Sequence, residues 1–234
     1  MIDRQIWTYV AVIGLTGGAA LCQVTGGEDK VKAIEQQAAS ETRKVADQGL
    51  ERLKTLASGD QYSLFGFRSR QEVDKAELAT AIPIFDIGTE DLLNYKPGAD
   101  ISGLLTTCSR VFYPVASAGQ VRSSISVVRM NSEWQVGEFG RPTTATALND
   151  AVQSVGGLSG SRAAFVAIVP AQNIYLKGKF SAGGIQLRAV PVTKQQGTGG
   201  PDKFLFQEGA PSGGDLIRVL ADRARRQSSE RTVH

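Results

Sequence analysis

The residues that usually carry nucleophilic or metal chemistry are scarce in this sequence. Its only histidine is His234, the last of 234 residues. A Ser-His or Cys-His pair needs an imidazole held rigidly against the nucleophile, and chain termini are usually poorly ordered. The two cysteines, Cys22 and Cys108, are too few for a cysteine-based zinc site. We therefore expect no His-dependent catalytic centre, no metal and no cofactor.

Paired carboxylates are the catalytic chemistry that remains open. The acidic residues near predicted strand ends and turns are Asp86, Glu90, Asp91, Glu133 and Glu138. Two carboxyl groups at such positions perform acid–base catalysis in glycosidases. Glu90 and Asp91, however, follow Thr89 in the first turn of a predicted helix, where the helix dipole favours acids. We interpret all five as solvated surface groups, so an enzymatic activity is uncertain and its absence is the stronger expectation.

Two glycine-rich segments have the composition of phosphate-binding loops but lack the rest of the pattern. Residues 155–161 have neither the Lys nor the following helix of a P-loop. Residues 209–215 do precede a predicted helix, whose free N–H groups attract anions. Asp215 opposes an anion there and suits a helix cap instead. We expect connecting loops at both places.

Aromatic residues give the one positive indication of a binding surface. Phe112, Tyr113, Trp134 and Phe139 all fall within a predicted three-stranded meander over residues 110–139. If one face of that meander is uncovered, these side chains form an apolar recognition patch. If helices cover it, the same side chains belong to the core.

The amino terminus has the pattern of an export signal. Residues 5–27 contain no charged group, and an apolar run over 6–15 is followed by small residues. Such a run after a short positive start is typical of a signal peptide, with cleavage expected after Ala20. A retained membrane anchor and a lipid anchor on Cys22 are the alternatives. We therefore expect residues 1–27 to be a signal peptide or membrane anchor and the protein to be exported, whether periplasmic, secreted or anchored.

Cysteine usage agrees with export without requiring it. In an oxidising compartment Cys22 and Cys108 could form one disulfide. The alternative is that Cys108 is a small buried apolar residue, which is a common role for a free cysteine.

The hydrophobic pattern predicts an α+β protein. Residues 28–58 carry an apolar stripe at helical spacing without proline, and we interpret 28–59 as a partly exposed helical spacer. Over residues 60–226 we expect a mixed, mainly antiparallel sheet with helices packed on one face. It is either a single sheet or two successive meander units, 69–139 and 143–192. Alternating βαβ crossovers are missing, which argues against a doubly wound fold.

Local signals place individual elements within that domain. Ser69 and Glu72 have the spacing of a capping box that starts a helix. Pro83 restricts its strand to a sheet edge or to a strand start. Residues 121–127 alternate apolar and polar side chains, which predicts a strand with one buried face.

The charge distribution excludes one class of partner. The formal net charge is +3, and residues 216–234 account for all of it, with five Arg against two acidic residues. A nucleic-acid-binding protein should instead spread a basic face with stacking aromatics over its fold. We expect a disordered basic tail over residues 227–234 and no nucleic-acid partner.

The expectation that combines these observations is a non-catalytic, exported or membrane-tethered module that recognises a protein or peptide. Edge strands of an antiparallel sheet are a common means of such recognition. The alternatives are a carboxylate-dependent hydrolase of an envelope or extracellular polymer, and a scaffold in which the helix over 28–58 pairs with a partner helix. Any contact with a membrane is expected only through the N-terminal segment.

Overall fold

Residues 25–154, 164–181, 184–192 and 213–232 are described in the computed structural model of the chain. The helices are α1 (Thr25–Leu56), α2 (Arg70–Asp74), α3 (Thr89–Asn94), α4 (Pro142–Gln153) and α5 (Gly213–Thr232). The strands are β1 (Glu77–Leu78), β2 (Ile82–Asp86), β3 (Cys108–Ser117), β4 (Gln120–Met130), β5 (Glu133–Phe139), β6 (Ala164–Val169), β7 (Ile174–Ser181) and β8 (Gly184–Val190).

The described strands form a single mixed sheet in the order β5-β4-β3-β2-β6-β7-β8, with β1 beside β3. Only β2 and β6 run parallel among these pairs, and the other pairings are antiparallel. The α+β class and the mixed, mainly antiparallel sheet are thus confirmed. The two meanders, β3–β5 and β6–β8, are the two halves of one sheet that join where β2 meets β6.

Pro83 lies in an internal strand, and its position there explains why the sheet tolerates it. On the β3 side Pro83 is opposite Val111. The parallel pairing with β6 begins only at Ile84, opposite Val166. Pro83 is therefore near the start of β2 and before the part that is paired on both sides, so its missing N–H removes no described bond to β6.

Helices cover both faces of the sheet, which differs from the expectation that they pack on one face. The main core joins Val111 and Tyr113 of β3 to α1, α3 and α5. Phe112, which lies between those two residues, belongs to a second core with Leu148 of α4. Successive side chains of a strand point to opposite faces, so α4 lies on the face opposite α1.

Because α4 covers that second face, β4 is buried on both sides. Residues 123–127 are all buried, including Ser124 and Ser126. The alternating pattern of this strand predicted one solvated face, and that prediction is wrong. The serine hydroxyl of Ser124 donates to the carbonyl oxygen of Gly140, which keeps this polar group satisfied beneath the helix.

Helix α1 packs against the sheet over much of its length, so residues 28–59 are not a spacer. Thr42 is fully buried, and its hydroxyl lies 2.9 Å from that of Tyr113 on β3. At Gly49 an added Cβ would come within 3.0 Å of Val136, so a larger residue would press α1 off the sheet. The buried apolar residues of α1 and its C-terminal end are Val31, Ala38, Ala46, Leu53 and Ala57.

Helix α5 closes the same face beside α3. Leu216 and Leu220 are fully buried, and the Arg225 guanidinium reaches the carbonyl oxygens of Leu93 and Tyr95, each at 3.4 Å. The helix continues to Thr232, so the expected disordered tail is helical over residues 227–232. The arginines of this segment therefore belong to a folded helix and not to a disordered tail.

Some predicted features lie outside the described residues. These are the signal or anchor segment before Thr25, the glycine-rich segment 155–161, residues 209–212 of the second glycine-rich segment and His234. Among the helices that the structure does describe, none has both the length and the apolar character that crossing a membrane requires.

Candidate functional site

The four aromatic residues predicted as a recognition patch do not form one surface. Phe112 is 3% exposed on the α4 face, whereas Tyr113 is fully buried on the α1 face. Trp134 and Phe139 lie on the edge strand β5, half-buried under α1. The patch prediction is therefore wrong for Phe112 and Tyr113, because helices cover both faces of the meander.

Trp134 and Phe139, the two aromatic residues of the edge strand, contact side chains of α1 and β4. The Trp134 indole N–H donates to Glu41 at 2.8 Å, and this hydrogen bond is the main cause that lowers the pKa of Glu41. The Arg129 guanidinium lies 5.6 Å from the centre of the same ring. Arg52 lies 6.0 Å from the ring centre of Phe139, at the limit of a cation–π contact. These residues help to hold α1 on the sheet edge.

The carboxylates considered as catalytic groups have structural contacts or face solvent. Asp86 accepts hydrogen bonds from the backbone and hydroxyl of Ser109. Asp91 accepts from the Gly88 N–H at 3.1 Å, and Glu138 pairs with Arg141 at 2.6 Å. The remaining two, Glu90 and Glu133, are exposed. Within the described ranges, no three His, Cys, Asp or Glu side chains group closely enough to hold a metal ion.

Cys108 is an unreactive buried thiol in this structure. It is 8% exposed, and its thiol donates to the Arg110 carbonyl oxygen at 3.4 Å. Burial raises the pKa of Cys108 to about 11, which suppresses the nucleophilic thiolate at neutral pH. The proposed disulfide and lipid anchor both depend on Cys22, which lies outside the described residues.

Glu35 is an unusual side chain that the sequence reasoning missed. Burial raises the pKa of Glu35 to about 8, so the carboxyl group is mostly protonated at neutral pH. Its Oε1 atom has no hydrogen-bond partner among the described residues. Its position in the sequence indicated that it would be buried. Val31, Glu35, Ala38 and Thr42 follow one another at helical intervals along the buried side of α1.

A hollow of about 740 Å³ lies between α4 and the β7–β8 hairpin. One wall is the α4 face that carries Thr146, Ala147, Asp150 and Ala151. These positions recur at the spacing of one helical face. The opposite wall includes Val190 of β8. We call this hollow the α4 groove.

Sequence chemistry explains why α4 leaves a groove. Pro142 occupies the first turn, where a missing N–H costs nothing, and Leu148 and Val152 are buried against the sheet. The neighbouring face carries Ala147 and Ala151, whose methyl groups fill little space. Small side chains on that face keep the space between α4 and β8 open.

One end of the α4 groove is basic. Ser154 and Lys177 line both the groove and an adjoining hollow of about 250 Å³, which also includes Lys179 and Arg188. Lys177 and Arg188 are directly opposite each other in the β7–β8 register. We call Lys177, Lys179 and Arg188 the basic cluster.

No acidic side chain among the described residues neutralises the basic cluster. The Lys177 ammonium donates to Ser154 at 2.8 Å, but none of the three cations forms an ion pair with a described carboxylate. Burial, and then the nearby charge of Arg188, lower the pKa of Lys177. The local field therefore favours a negatively charged group at this end of the groove.

The polar groups that the described residues bring to this arrangement are hydroxyls, cations, the Gln186 amide and one carboxylate, Asp150. An apolar wall runs beside them, so the arrangement can hold a ligand that is partly anionic and partly apolar. No protein-family model, curated protein or solved structure matches this chain.

Proposed function

We propose that the chain is a non-catalytic binding module, exported or tethered to a membrane, that holds a protein or peptide segment in the α4 groove. The observation that carries this proposal is the groove itself. Its volume of about 740 Å³ is within the range of ligand-binding clefts, roughly 300–1,000 Å³. Its apolar wall and few polar groups also have the composition of such clefts.

The contacts of the acidic residues favour binding over hydrolysis. A carboxylate pair needs two acids that face one hollow, with one of them free to hold a proton. Asp86 and Asp91 instead accept backbone hydrogen bonds, and Glu138 pairs with Arg141. Among the described residues that line the α4 groove, Asp150 is the one acid.

The packing of α1 weighs against the scaffold alternative. A helix that pairs with a partner helix needs an apolar stripe free to make that contact. On α1 the residues Val31, Ala38 and Leu53 are buried against the sheet of the same chain. A partner helix would have to displace the sheet to reach them.

Export is part of the proposal and is supported by the sequence of the first residues. An uncharged run with an apolar core and small residues before position 21 is typical of an export signal. A module outside the cytoplasm would meet segments of envelope or secreted proteins. Fusion of residues 1–27 to a reporter that is active only after export tests this part separately.

Site-specific photo-crosslinking in the protein's own cells tests the binding function. A photoreactive amino acid is placed at Thr146, which is exposed and lines the α4 groove. The matched control carries it at Gln153, which is exposed on the same helix and does not line the groove. We expect a discrete protein adduct from position 146 and none from position 153. Equal adducts from both positions, or none from either, would contradict the proposal.

A further inference from the structure

We propose that the segment held in the α4 groove is an extended acidic peptide, with carboxylates at alternate positions on the basic cluster and small apolar side chains along α4. This inference rests on the proposed binding function and names the class of its ligand.

The basic cluster contains a like-charged pair. Lys177 and Arg188 are opposite each other on neighbouring antiparallel strands, an arrangement that is destabilising when no anion is present. Lys179 adds a third cation two residues along β7. By contrast, Arg122 and Arg141 each pair with a glutamate of the same chain. A ligand anion would offset the repulsion that the described residues leave in place.

The spacing of the cluster fits an extended chain. Lys177 and Lys179 are two residues apart on one strand, which corresponds to about 6.6 Å. An extended peptide presents its alternate side chains on one side with the same repeat. Carboxylates at positions i and i+2 of such a peptide therefore match the two ammonium groups, and Arg188 can bind either of them.

The two ends of the groove differ in polarity, and this difference sets the direction in which the peptide binds. Ala147, Ala151 and Val190 form an apolar surface that continues from the basic cluster. Asp150 lies one helical turn before Ser154, so its carboxylate repels acidic groups from that part of the groove. The acidic end of the peptide is thus placed at β7–β8, and its apolar end lies along α4.

The apolar surface also favours a peptide over other polyanions as the ligand. A phosphate group would be attracted to the same cations, as in a nucleic acid or an anionic membrane. Neither of these presents small apolar side chains at the repeat of an extended chain. The combination of the basic cluster with Ala147 and Ala151 favours a peptide.

Fluorescence anisotropy with three labelled peptides tests this inference on the full chain. The probes are extended Val-rich peptides that carry Glu, Gln or Lys at alternate positions. We expect the Glu peptide to bind about tenfold more tightly than the Gln peptide, and Arg188→Gln to lower that affinity about tenfold. The control Arg226→Gln removes an exposed cation of α5 and should leave the affinity unchanged.

A charge-reversed variant keeps the test independent of folding losses. The double variant Lys179→Glu/Arg188→Glu takes the formal charge of the cluster from +3 to −1. It should lose the Glu peptide and gain affinity for the Lys peptide, because complementarity is reversed. If the Gln and Glu peptides bind with equal affinity, and Thr146→Trp weakens the binding of both, the ligand is not an acidic peptide. The proposed binding function would still hold in that case. Tighter binding of an oligonucleotide or of anionic vesicles than of the Glu peptide, with the same loss in Arg188→Gln, would also overturn the acidic peptide. The absence of binding by any peptide overturns this inference, and the crosslinking at Thr146 then decides the proposed function by itself.

Discussion

The hydroxyl groups of Thr42 and Tyr113 meet at 2.9 Å between α1 and β3, and both side chains are fully buried. Thr42 also lies 2.6 Å from the carbonyl oxygen of Ala38, and Tyr113 donates to that of Ala39 at 3.2 Å. This polar contact adds to the apolar packing of Val31 and Leu53 and to the Trp134–Glu41 hydrogen bond in fixing the position of α1.

Removal of the contact between Thr42 and Tyr113 should lower the stability of the folded domain. Thr42→Val deletes a buried hydroxyl, and we expect it to lower the free energy of unfolding by about 1–2 kcal/mol in urea titrations. Thr55→Val is the matched control, because Thr55 makes the same bond to the residue four positions earlier but is exposed. The double variant with Tyr113→Phe should cost less than the sum of the two. An equal loss in Thr42→Val and Thr55→Val would disprove the role of the contact.

Glu35 should make the stability fall as the pH rises. Its folded pKa of about 8 is above the ordinary value of 4.5, so the unfolded chain releases this proton first. The contribution is complete below about pH 4.5, declines between the two values and is lost by about pH 8. Since a pKa difference of one corresponds to about 1.4 kcal/mol, the total loss reaches up to about 5 kcal/mol.

Urea titrations from pH 4 to 9 measure this effect. Glu35→Gln should flatten the decline and be more stable than the unmodified chain at pH 8. Glu51→Gln, an exposed acid of the same helix, is the control and should keep the decline. A decline that is as steep in Glu35→Gln as in the unmodified chain would refute the assignment to this residue.

Gly178 should tolerate no side chain, because the Phe165 ring occupies the place of a Cβ atom. We expect Gly178→Ala to lower the free energy of unfolding by about 2 kcal/mol through overpacking. Gly103→Ala is the control, since a Cβ there meets nothing within 4 Å. Phe165→Leu in the Gly178→Ala background should recover part of the loss. A harmless Gly178→Ala would show that the ring does not pack there.

Signals within a few residues of one another predicted the elements well. The Ser69 hydroxyl accepts the Glu72 N–H at 3.3 Å, as the capping-box pattern indicated, and the meander over β3–β5 lies where its β-branched residues placed it. These features depend on spacing alone. The same is true of α1, which the 28–58 stripe predicted to within a few residues.

The α4 groove could not be predicted in this way. Lys177 and Arg188 become neighbours only through the register of β7 and β8, and Ser154 joins them from the end of α4. No periodic pattern records such a contact between distant residues. The burial of Phe112 depended likewise on which face α4 covers, and the sequence does not contain that information locally.

The proposal that the α4 groove binds the ligand is tested by a map of backbone amide chemical shifts while the Glu peptide is titrated into the full chain. We predict changes concentrated at Thr146–Ala151, Lys177–Lys179 and Gln186–Val190, which disappear in Thr146→Trp and persist in Gln153→Trp. Changes concentrated instead along the β5 edge, or unaffected by Thr146→Trp, would contradict the claim.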